Sequence, residues 1–247
     1  MSEHVHFRMA GADWPGVAVV AMDDGKANAM QRGFLDELAA ALDQAESDGV
    51  HGLVLEGRPA FFSGGLDLKV LPDLAPEALR AVTNDFGEAM RRVFLFPKPI
   101  VAAAAGHAIA GGMMLYLAAD VRLALRGTPA RFGLNEAVTG IPLLGGTAGI
   151  CQAAIPPQHH TELILHGRLL DAEGTRARGI THELVDEPGE LLPRALARAA
   201  ALRDVDLPAY ATNKRMLREP AWRAAVERAE ALMAEAPRGN VFERIRR

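Results

Sequence analysis

The arrangement of apolar and polar residues along the chain predicts short buried strands that alternate with amphipathic helices. The apolar run from Val17 to Met22 is typical of a buried strand, which the turn-forming Asp23-Asp24-Gly25 ends. From Gln31 to Asp48 the apolar residues recur at the spacing of one helix face, and Gly49 stands where a C-cap is expected. Residues 52–55 predict a second strand. This alternation indicates an α/β fold.

Prolines and a change of pattern divide the rest of the chain. Pro76 suits the first turn of a helix that ends before Pro97 and Pro99. The apolar face of this helix consists of Leu79, Val82, Phe86, Met90 and Val93. After a strand over residues 120–125, helices are predicted over residues 145–154, 157–166, 191–202, 208–217 and 221–234. We therefore expect a core over residues 1–203 and a helical C-terminal region over residues 204–247.

One uncharged stretch, from Pro99 to Ala119, is long enough to cross a bilayer. Gly106, Gly111 and Gly112 interrupt it, and it divides into an alanine-rich strand, a turn and a buried helix. We therefore predict no membrane span.

Composition narrows the function classes. The 247 residues are 49% hydrophobic, enough for a full core. A formal net charge of −4 argues against nucleic-acid binding. The single Cys151 is expected in the core, and the paired histidines at 159–160 and 4/6 lack a third ligand, so no metal is predicted. The N-terminal residues carry no targeting signal, which predicts a cytoplasmic protein.

Two glycine-centred segments carry the candidate chemistry. Residues 61–69 read Phe-Phe-Ser-Gly-Gly-Leu-Asp-Leu-Lys, and residues 106–114 read Gly-His-Ala-Ile-Ala-Gly-Gly-Met-Met. Each is predicted to turn out of a strand straight into a helix. Glycine permits close backbone approach, and the first turn of a helix offers unpaired N–H groups, so the pair of loops can form an oxyanion hole.

The runs Ala60–Lys69, Lys98–Asp120 and Arg131–Glu136 resemble, in this order, the signature segments of the crotonase superfamily, the enoyl-CoA hydratase and isomerase group. The resemblance covers most of residues 13–186. It implies a crotonase-like ββα spiral core, C-terminal helices used for trimer contacts, and a homotrimer or a dimer of trimers. It also implies an acyl-CoA thioester substrate in fatty-acid β-oxidation, with coenzyme A as part of the substrate and no separate cofactor.

The same resemblance assigns roles to single residues. The two oxyanion donors fall on the backbone N–H groups of Leu66 and Gly111. The segment that holds the adenine side of CoA falls on residues 26–30, and Lys69 becomes a candidate for the nucleotide phosphates, with a solvated surface lysine as the alternative. The positions implied to contact substrate or CoA are Lys26, Ala27, Asn28, Ala29, Gly64, Gly65, Asp67, Lys69, Gly112 and Met114.

The acids distinguish between reactions. Hydratases of the family use two glutamates, and in this chain their positions are held by Met114 and Glu136. Methionine cannot transfer a proton, so one carboxylate remains for catalysis. This favours a Δ3,Δ2-enoyl-CoA isomerase, in which Glu136 moves a proton from C2 to C4. An enoyl-CoA hydratase and a non-catalytic acyl-CoA-binding protein remain alternatives.

Two further expectations concern the neighbours of Glu136 and the surface of the C-terminal helices. Apolar neighbours such as Met114, Leu143 and Leu144 would raise the pKa of Glu136, whereas an ordinary loop acid would cap a helix or pair with Arg131. On the C-terminal helices, apolar surface for oligomer contacts is expected from Leu217, Trp222, Val226 and Leu232.

Overall fold

A computed structural model describes residues 3–143 and 145–235 of the chain. Its strands are β1 (Val5–Met9), β2 (Val17–Met22), β3 (Ala29–Met30), β4 (Gly52–Glu56), β5 (Phe61–Ser63), β6 (Gly65–Leu66), β7 (Ile100–Ala104), β8 (His107–Ile109), β9 (Val121–Leu125), β10 (Phe132–Gly133) and β11 (Glu183–Val185). Its α-helices are α1 (Arg32–Ala45), α2 (Pro76–Phe94), α3 (Gly111–Ala118), α4 (Glu136–Thr139), α5 (Gly146–Ala154), α6 (Ala172–Ala177), α7 (Pro188–Ala200) and α8 (Leu207–Glu235).

The main sheet has six strands in the order β1-β2-β4-β7-β9-β11. Only the β1–β2 pair is antiparallel among these described strands, and every other neighbouring pair is parallel. A parallel sheet must be covered on both faces, which explains the continuous apolar runs of its strands. Alternate residues of β2 face opposite sides: Val17 and Val19 pack with α7, and Ala18 and Val20 pack in the larger cluster with α1.

A second, three-stranded sheet has the order β10-β8-β5, and the short strands β3 and β6 pair with each other. Both small sheets are parallel. They contain parts of the predicted CoA-binding segment, both glycine segments and the segment before Glu136, so they set the relative positions of the candidate site residues.

The C-terminal region differs from its prediction. The helices expected over residues 208–217 and 221–234 are one continuous helix, α8, which includes Pro220. An interior proline removes a helix hydrogen bond and costs about 3 kcal/mol. Contacts on both sides of Pro220 offset that cost: Lys214 lies 2.7 Å from the Asp120 carboxylate, and the Trp222 ring packs directly on Gly146 of α5. The helix is therefore held against the core before and after the proline.

Other predicted elements are confirmed with small shifts. The helices predicted after Gln31 and at Pro76 are α1 and α2, and residues 99–119 divide into β7, β8 and α3. Residues 157–166, predicted as an α-helix, instead form a 3-10 turn (Pro157–His159) and a π-helical turn (Thr161–Leu165). Within the described residues, no helix combines the length and hydropathy that a membrane crossing would require.

Candidate active site

The three-stranded sheet brings the three sequence motifs together. In β8, Ala108 is the register partner of Ser63 in β5 and of Phe132 in β10. Because the three strands are parallel, the segments that leave their carboxyl ends start side by side. The segment after β5 carries Gly65 and Leu66, the segment after β8 carries Gly111, and the segment after β10 carries Glu136. Residues as far apart in sequence as Gly65 and Glu136 therefore surround one place in the fold.

The two glycine loops touch each other through their backbones. A Cβ atom added to Gly65 would lie 2.6 Å from the Gly111 nitrogen, and one added to Gly112 would lie 1.9 Å from the Ser63 oxygen. Gly65 also has φ +83°, a conformation that other residues rarely adopt. Glycine is therefore required at both positions, and the loops that carry the Leu66 and Gly111 N–H groups are packed against one another.

The two loops lead into different kinds of secondary structure. Gly111 begins helix α3, as predicted. The N-cap residue, Ala110, provides no side-chain hydrogen bond to the start of the helix. The first loop does not run straight into a helix, which corrects the sequence-based expectation. Its residues Gly65 and Leu66 form strand β6 beside β3, because Met30 is available as a backbone partner for Leu66. The helix macrodipole can therefore strengthen only the Gly111 donor.

Ala110 sets the start of α3 in a strained conformation. Its φ and ψ are 52° and −123°, which is unusual for a residue with a Cβ atom. Its N–H donates to the Gly133 oxygen at 2.9 Å, and its oxygen accepts from Met114 N at 3.0 Å. These two bonds fix the peptide that presents the Gly111 N–H. The Phe86 ring covers the other side, 2.9 Å from where a Gly111 Cβ would lie.

Glu136 is a buried carboxylate with one unpartnered oxygen. It begins α4, its residue is 6% exposed, and its Oε2 atom has no hydrogen-bond partner among the described residues. Burial raises the pKa of Glu136 to about 7, because removal from water disfavours the charged form. The alternative of an ion pair with Arg131 is not supported, since the exposed Arg131 guanidinium donates to the Ala130 oxygen instead. Glu136 has the basicity and the free oxygen expected of a proton carrier.

The described apolar residues that were predicted around Glu136 belong to the hydrophobic core. Met114 is 4% exposed in α3, and the half-buried Leu143 packs against the same hydrophobic core. Cys151 of α5 is fully buried, and its thiol pKa is raised by burial and by the neighbouring Glu136 carboxylate, so it is no nucleophile. Leu144, also expected beside Glu136, lies outside the described residues. Position 114 carries the thioether of methionine, so it supplies no second carboxylate.

Asn28 in the predicted CoA segment is a structural residue. Its side chain is completely buried, and Nδ2 donates to the Met22 oxygen at 2.8 Å and the Phe62 oxygen at 3.1 Å, while Oδ1 accepts from Asp24 N. Asn28 adopts φ 50°, which asparagine tolerates. Its amide is thus used within the protein. Its neighbours in the predicted segment are more accessible: Lys26 is exposed, and Ala27 and Ala29 are half-buried.

Two residues that were not singled out from the sequence hold this segment: Ser63 of the first glycine loop, and Arg58, which precedes that loop. Ser63 Oγ donates to the Asn28 oxygen at 2.7 Å and accepts from Gly65 N at 3.1 Å. Arg58 donates to the Lys26 oxygen at 2.8 Å. Ser63 stands inside the first motif, but nothing in the sequence shows that its hydroxyl bridges two segments. Arg58 has no sequence signal at all.

The remaining predicted contacts lie at the outer edge of the site. Gly64 donates to the Ala27 oxygen at 2.9 Å, which holds the two segments together. The Asp67 carboxylate accepts from Lys69 N at 3.0 Å and so stabilises the turn. The side chains of Lys69 and Lys26 are exposed, as binding of a mobile phosphate requires. Among the described residues, no group of three histidine, cysteine or carboxylate side chains is placed to hold a metal ion.

Comparison with known proteins agrees with this geometry. The model of the Enoyl-CoA hydratase/isomerase family matches residues 14–236. The chain belongs to this family. A probable enoyl-CoA hydratase of Mycobacterium tuberculosis, EchA17, is 32% identical over 225 residues, which cover 88% of this chain and 85% of that protein. The expected crotonase-like fold is thereby confirmed.

Solved structures show the same architecture. An enoyl-CoA isomerase of M. tuberculosis superposes with a TM-score of 0.84 at 28% identity, covering 96% of this chain and all of that chain. A structure of the same protein described as the probable enoyl-CoA hydratase EchA3 gives a TM-score of 0.83 at 29% identity, covering 94% and 97% of the two chains. One similar protein thus carries both names, so similarity establishes the family and leaves the choice of reaction to the site residues.

Proposed function

We propose that this family member is a Δ3,Δ2-enoyl-CoA isomerase that works with one carboxylate. The observation that supports this proposal is the pair formed by Glu136 and Met114. Glu136 is buried with an unpartnered Oε2 atom, and a buried thioether stands at the position of the other hydratase glutamate. A hydratase needs groups that hold and activate a water molecule, which methionine does poorly. Isomerisation needs only one base that can return the proton it removes.

The proposed reaction is a proton transfer on one face of the substrate. Ionised Glu136 removes a proton from C2 of a 3-enoyl-CoA, and the C–H electron pair becomes part of a dienolate that extends from the thioester oxygen to C4. The backbone N–H groups of Leu66 and Gly111 would stabilise the charge on that oxygen, each by about 3 to 4 kcal/mol. Protonated Glu136 then gives its proton to C4, which leaves the double bond between C2 and C3.

The raised pKa of Glu136 fits both half-reactions. An ordinary glutamate, with a pKa of 4.5, is a weak base at neutral pH, whereas a pKa of about 7 makes Glu136 a stronger base that is still about half ionised there. The protonated form is also readily reached, so the group can act as an acid at C4. Proton transfer is most efficient when the pKa of the group lies near the working pH.

Enoyl-CoA hydration is the second candidate because the relatives that give 32% identity are named probable hydratases. A non-catalytic acyl-CoA-binding protein is the candidate from another class, which the methionine at position 114 keeps open. Turnover of 3-hexenoyl-CoA and of crotonyl-CoA, measured separately, distinguishes the three. We expect isomerisation of the first and negligible hydration of the second. Hydration of crotonyl-CoA at ordinary enzyme rates would refute the isomerase proposal.

The role of Glu136 has its own test. Glu136→Gln keeps the shape but is no base, so exchange of the C2 proton with solvent deuterium should disappear while acyl-CoA affinity stays nearly unchanged. The exposed Glu230 of α8 offers a matched control, Glu230→Gln, which should exchange like the parent. Exchange at the parental rate in Glu136→Gln would remove Glu136 from the mechanism.

We also propose that the protein acts as a homotrimer or a dimer of trimers. Support comes from α8, where Met216 and Leu217 are 74% and 80% exposed and Leu232 is 46% exposed. Val226 is half-buried, and Trp222, expected on this surface, packs on α5 of its own chain, so it contributes less. Sedimentation at micromolar concentration measures the assembly, and a monomer there would contradict the proposal.

A further inference from the structure

A buried arginine and a half-buried histidine meet at the amino end of the β9–β11 pair, outside the candidate active site. Arg122 is the second residue of β9 and is 6% exposed, and His182 directly precedes β11. The His182 backbone N–H donates to the Arg122 oxygen at 2.8 Å, which fixes the two residues side by side. Since β11 is an edge strand of the main sheet, the two side chains lie near the rim of that sheet.

The backbone of β9 decides which nitrogen of His182 carries a proton. The Arg122 backbone N–H donates to Nδ1 at 3.0 Å, so Nδ1 is an acceptor and is unprotonated. A neutral imidazole then has its proton on Nε2, and a charged ring is excluded because both of its nitrogens would be donors. Burial, together with the positive charge of Arg122, lowers the pKa of His182 to about 4, which agrees with a neutral ring at neutral pH.

This tautomer leaves one end of the Arg122 guanidinium without an acceptor. Its Nε donates to the Ile180 oxygen at 2.7 Å, and its Nη1 donates to the oxygens of Leu117 and Ala119 at the end of α3. Among the described residues, Nη2 approaches only His182 Nε2, at 3.3 Å. Both nitrogens are donors, so they cannot bond to each other. One acceptor about 2.9 Å from each nitrogen would satisfy both.

Positive charge surrounds this pair of donors. Arg176 of α6 and Arg198 of α7 are exposed, and both lie close enough to the His182 ring to lower its pKa. Within the described part of the chain, Arg122 is held by carbonyl oxygens and not by a carboxylate. A buried guanidinium without a counter-charge is costly to keep out of water, and a bound anion would offset that cost.

The neighbouring carboxylates are already paired with other cations. Asp120 Oδ2 lies 2.7 Å from Lys214, and Asp120 Oδ1 lies 3.0 Å from Arg218. Glu183 lies 3.2 and 3.5 Å from two arginines of α7. Neither carboxylate is therefore available to Nη2 and Nε2. The acceptor for these two donors has to come from outside the chain, and the surrounding charge favours an anion over a water molecule.

We infer that Arg122 and His182 form the base of a binding site for a small oxyanion of the phosphate class. The exposed Arg176 and Arg198 form its rim, and guanidinium groups match the planar oxygen pairs of such anions. The site is separate from the oxyanion hole, because Arg122 contacts the last turn of α3 whereas Gly111 begins this eight-residue helix, about 12 Å away. Anion binding here does not depend on which reaction the enzyme catalyses.

Inorganic phosphate is the probe, and sodium chloride of equal ionic strength is the reference. The histidines are labelled with nitrogen-15, and the His182 ring signals are assigned by their loss in His182→Phe. At neutral pH the parent should show a protonated Nε2 and an unprotonated Nδ1 in His182, and phosphate should shift the Nε2 signal until the site is saturated. Phosphate at ten times its Kd should also raise Tm by about 3 to 6 °C above the chloride reference.

Three variants test the residues of the site. Arg176→Gln removes one exposed rim charge and should weaken phosphate binding about three- to five-fold. Arg228→Gln makes the same change at an exposed position of α8 and should bind phosphate like the parent. His182→Phe keeps a ring but removes the Nε2 donor, so calorimetry should show phosphate binding weakened roughly ten-fold or more. Arg176→Gln lies outside the buried pair, so it decides the test even if His182→Phe does not fold.

Three results would overturn the inference. A proton on Nδ1 in place of Nε2 would give Nη2 its acceptor within the chain. Equal responses to phosphate and chloride would show screening of surface charge and no specific site. Weaker phosphate binding in Lys69→Gln, with none in Arg176→Gln, would place the phosphate at the CoA segment. An Nε2 shift that Arg176→Gln weakens and Lys69→Gln leaves unchanged would support the site, whether or not the protein turns over an enoyl-CoA.

Discussion

Replacing Glu136 with glutamine should stabilise the folded protein above neutral pH. Burial raises the pKa of this carboxyl from its ordinary 4.5 to about 7, so the folded chain binds the proton more tightly than the unfolded chain does. Stability from such a group is fully present below pH 4.5 and is lost as the pH rises through the folded pKa near 7. The parent therefore bears a growing cost for ionising Glu136, and the glutamine variant does not.

The size of the effect depends on the two pKa values. A displacement from 4.5 to about 7 corresponds to about 3 kcal/mol at most, and the part that develops between about pH 5 and about pH 8 is about 2 kcal/mol. The side chain is buried, so solvent screening reduces this figure little. The advantage of Glu136→Gln in the free energy of unfolding should thus grow by about 2 kcal/mol over that range.

Urea denaturation at several pH values, at one protein concentration, measures this difference. Glu230→Gln, in which an exposed carboxylate is replaced, should show no comparable growth. In the parent, isomerase activity should rise with pH through about 7 as Glu136 ionises. An advantage of Glu136→Gln that is the same at about pH 5 and about pH 8 would show that Glu136 is not held in an environment that disfavours its charge, and the catalytic reasoning would lose its basis.

Four further substitutions test the site and its support. Met114→Glu supplies a second carboxylate near Glu136 and should raise crotonyl-CoA hydration above the parental background. The gain should be partial, because the pocket is apolar and the two acids oppose each other's ionisation. An unchanged rate of loss of the enoyl absorbance of crotonyl-CoA would contradict this. Asp120→Ala leaves the buried Lys214 without its carboxylate partner and should lower the free energy of unfolding by about 3 to 5 kcal/mol. A change below about 1 kcal/mol in urea denaturation would show that this ion pair does not anchor α8. Gly112→Ala places a Cβ 1.9 Å from a backbone oxygen and should abolish turnover or folding. Gly87→Ala, which has open space around it in α2, should instead raise the free energy of unfolding by about 0.5 to 1 kcal/mol. Full activity of Gly112→Ala would mean that the loops need not touch.

The sequence predicted the family and the position of Glu136 because both rest on short motifs whose residue types the chemistry requires. Methionine at position 114 was likewise readable as a missing acid. The long elements were predictable for a local reason. Strand β2 and helices α1 and α2 bury one face or both, so the spacing of their apolar residues identifies each as a strand or a helix. The sequence could not show that Pro220 lies within a continuous helix, because Lys214 and Trp222 find their partners about a hundred and about seventy-five positions away.

Only the tertiary structure decided how the site is assembled. Strands β5, β8 and β10 are two or three residues long, too short to leave a pattern, yet their parallel pairing places Leu66, Gly111 and Glu136 together. Asn28 was predicted only as a contact to CoA, whereas the structure shows its buried side-chain amide bonded to the backbone of the site. Hydrogen bonds and burial of this kind depend on distant parts of the chain, which local spacing does not encode. The raised pKa of Glu136 has the same origin, since desolvation is a property of the packed core around a carboxyl group and not of the residues beside it in sequence.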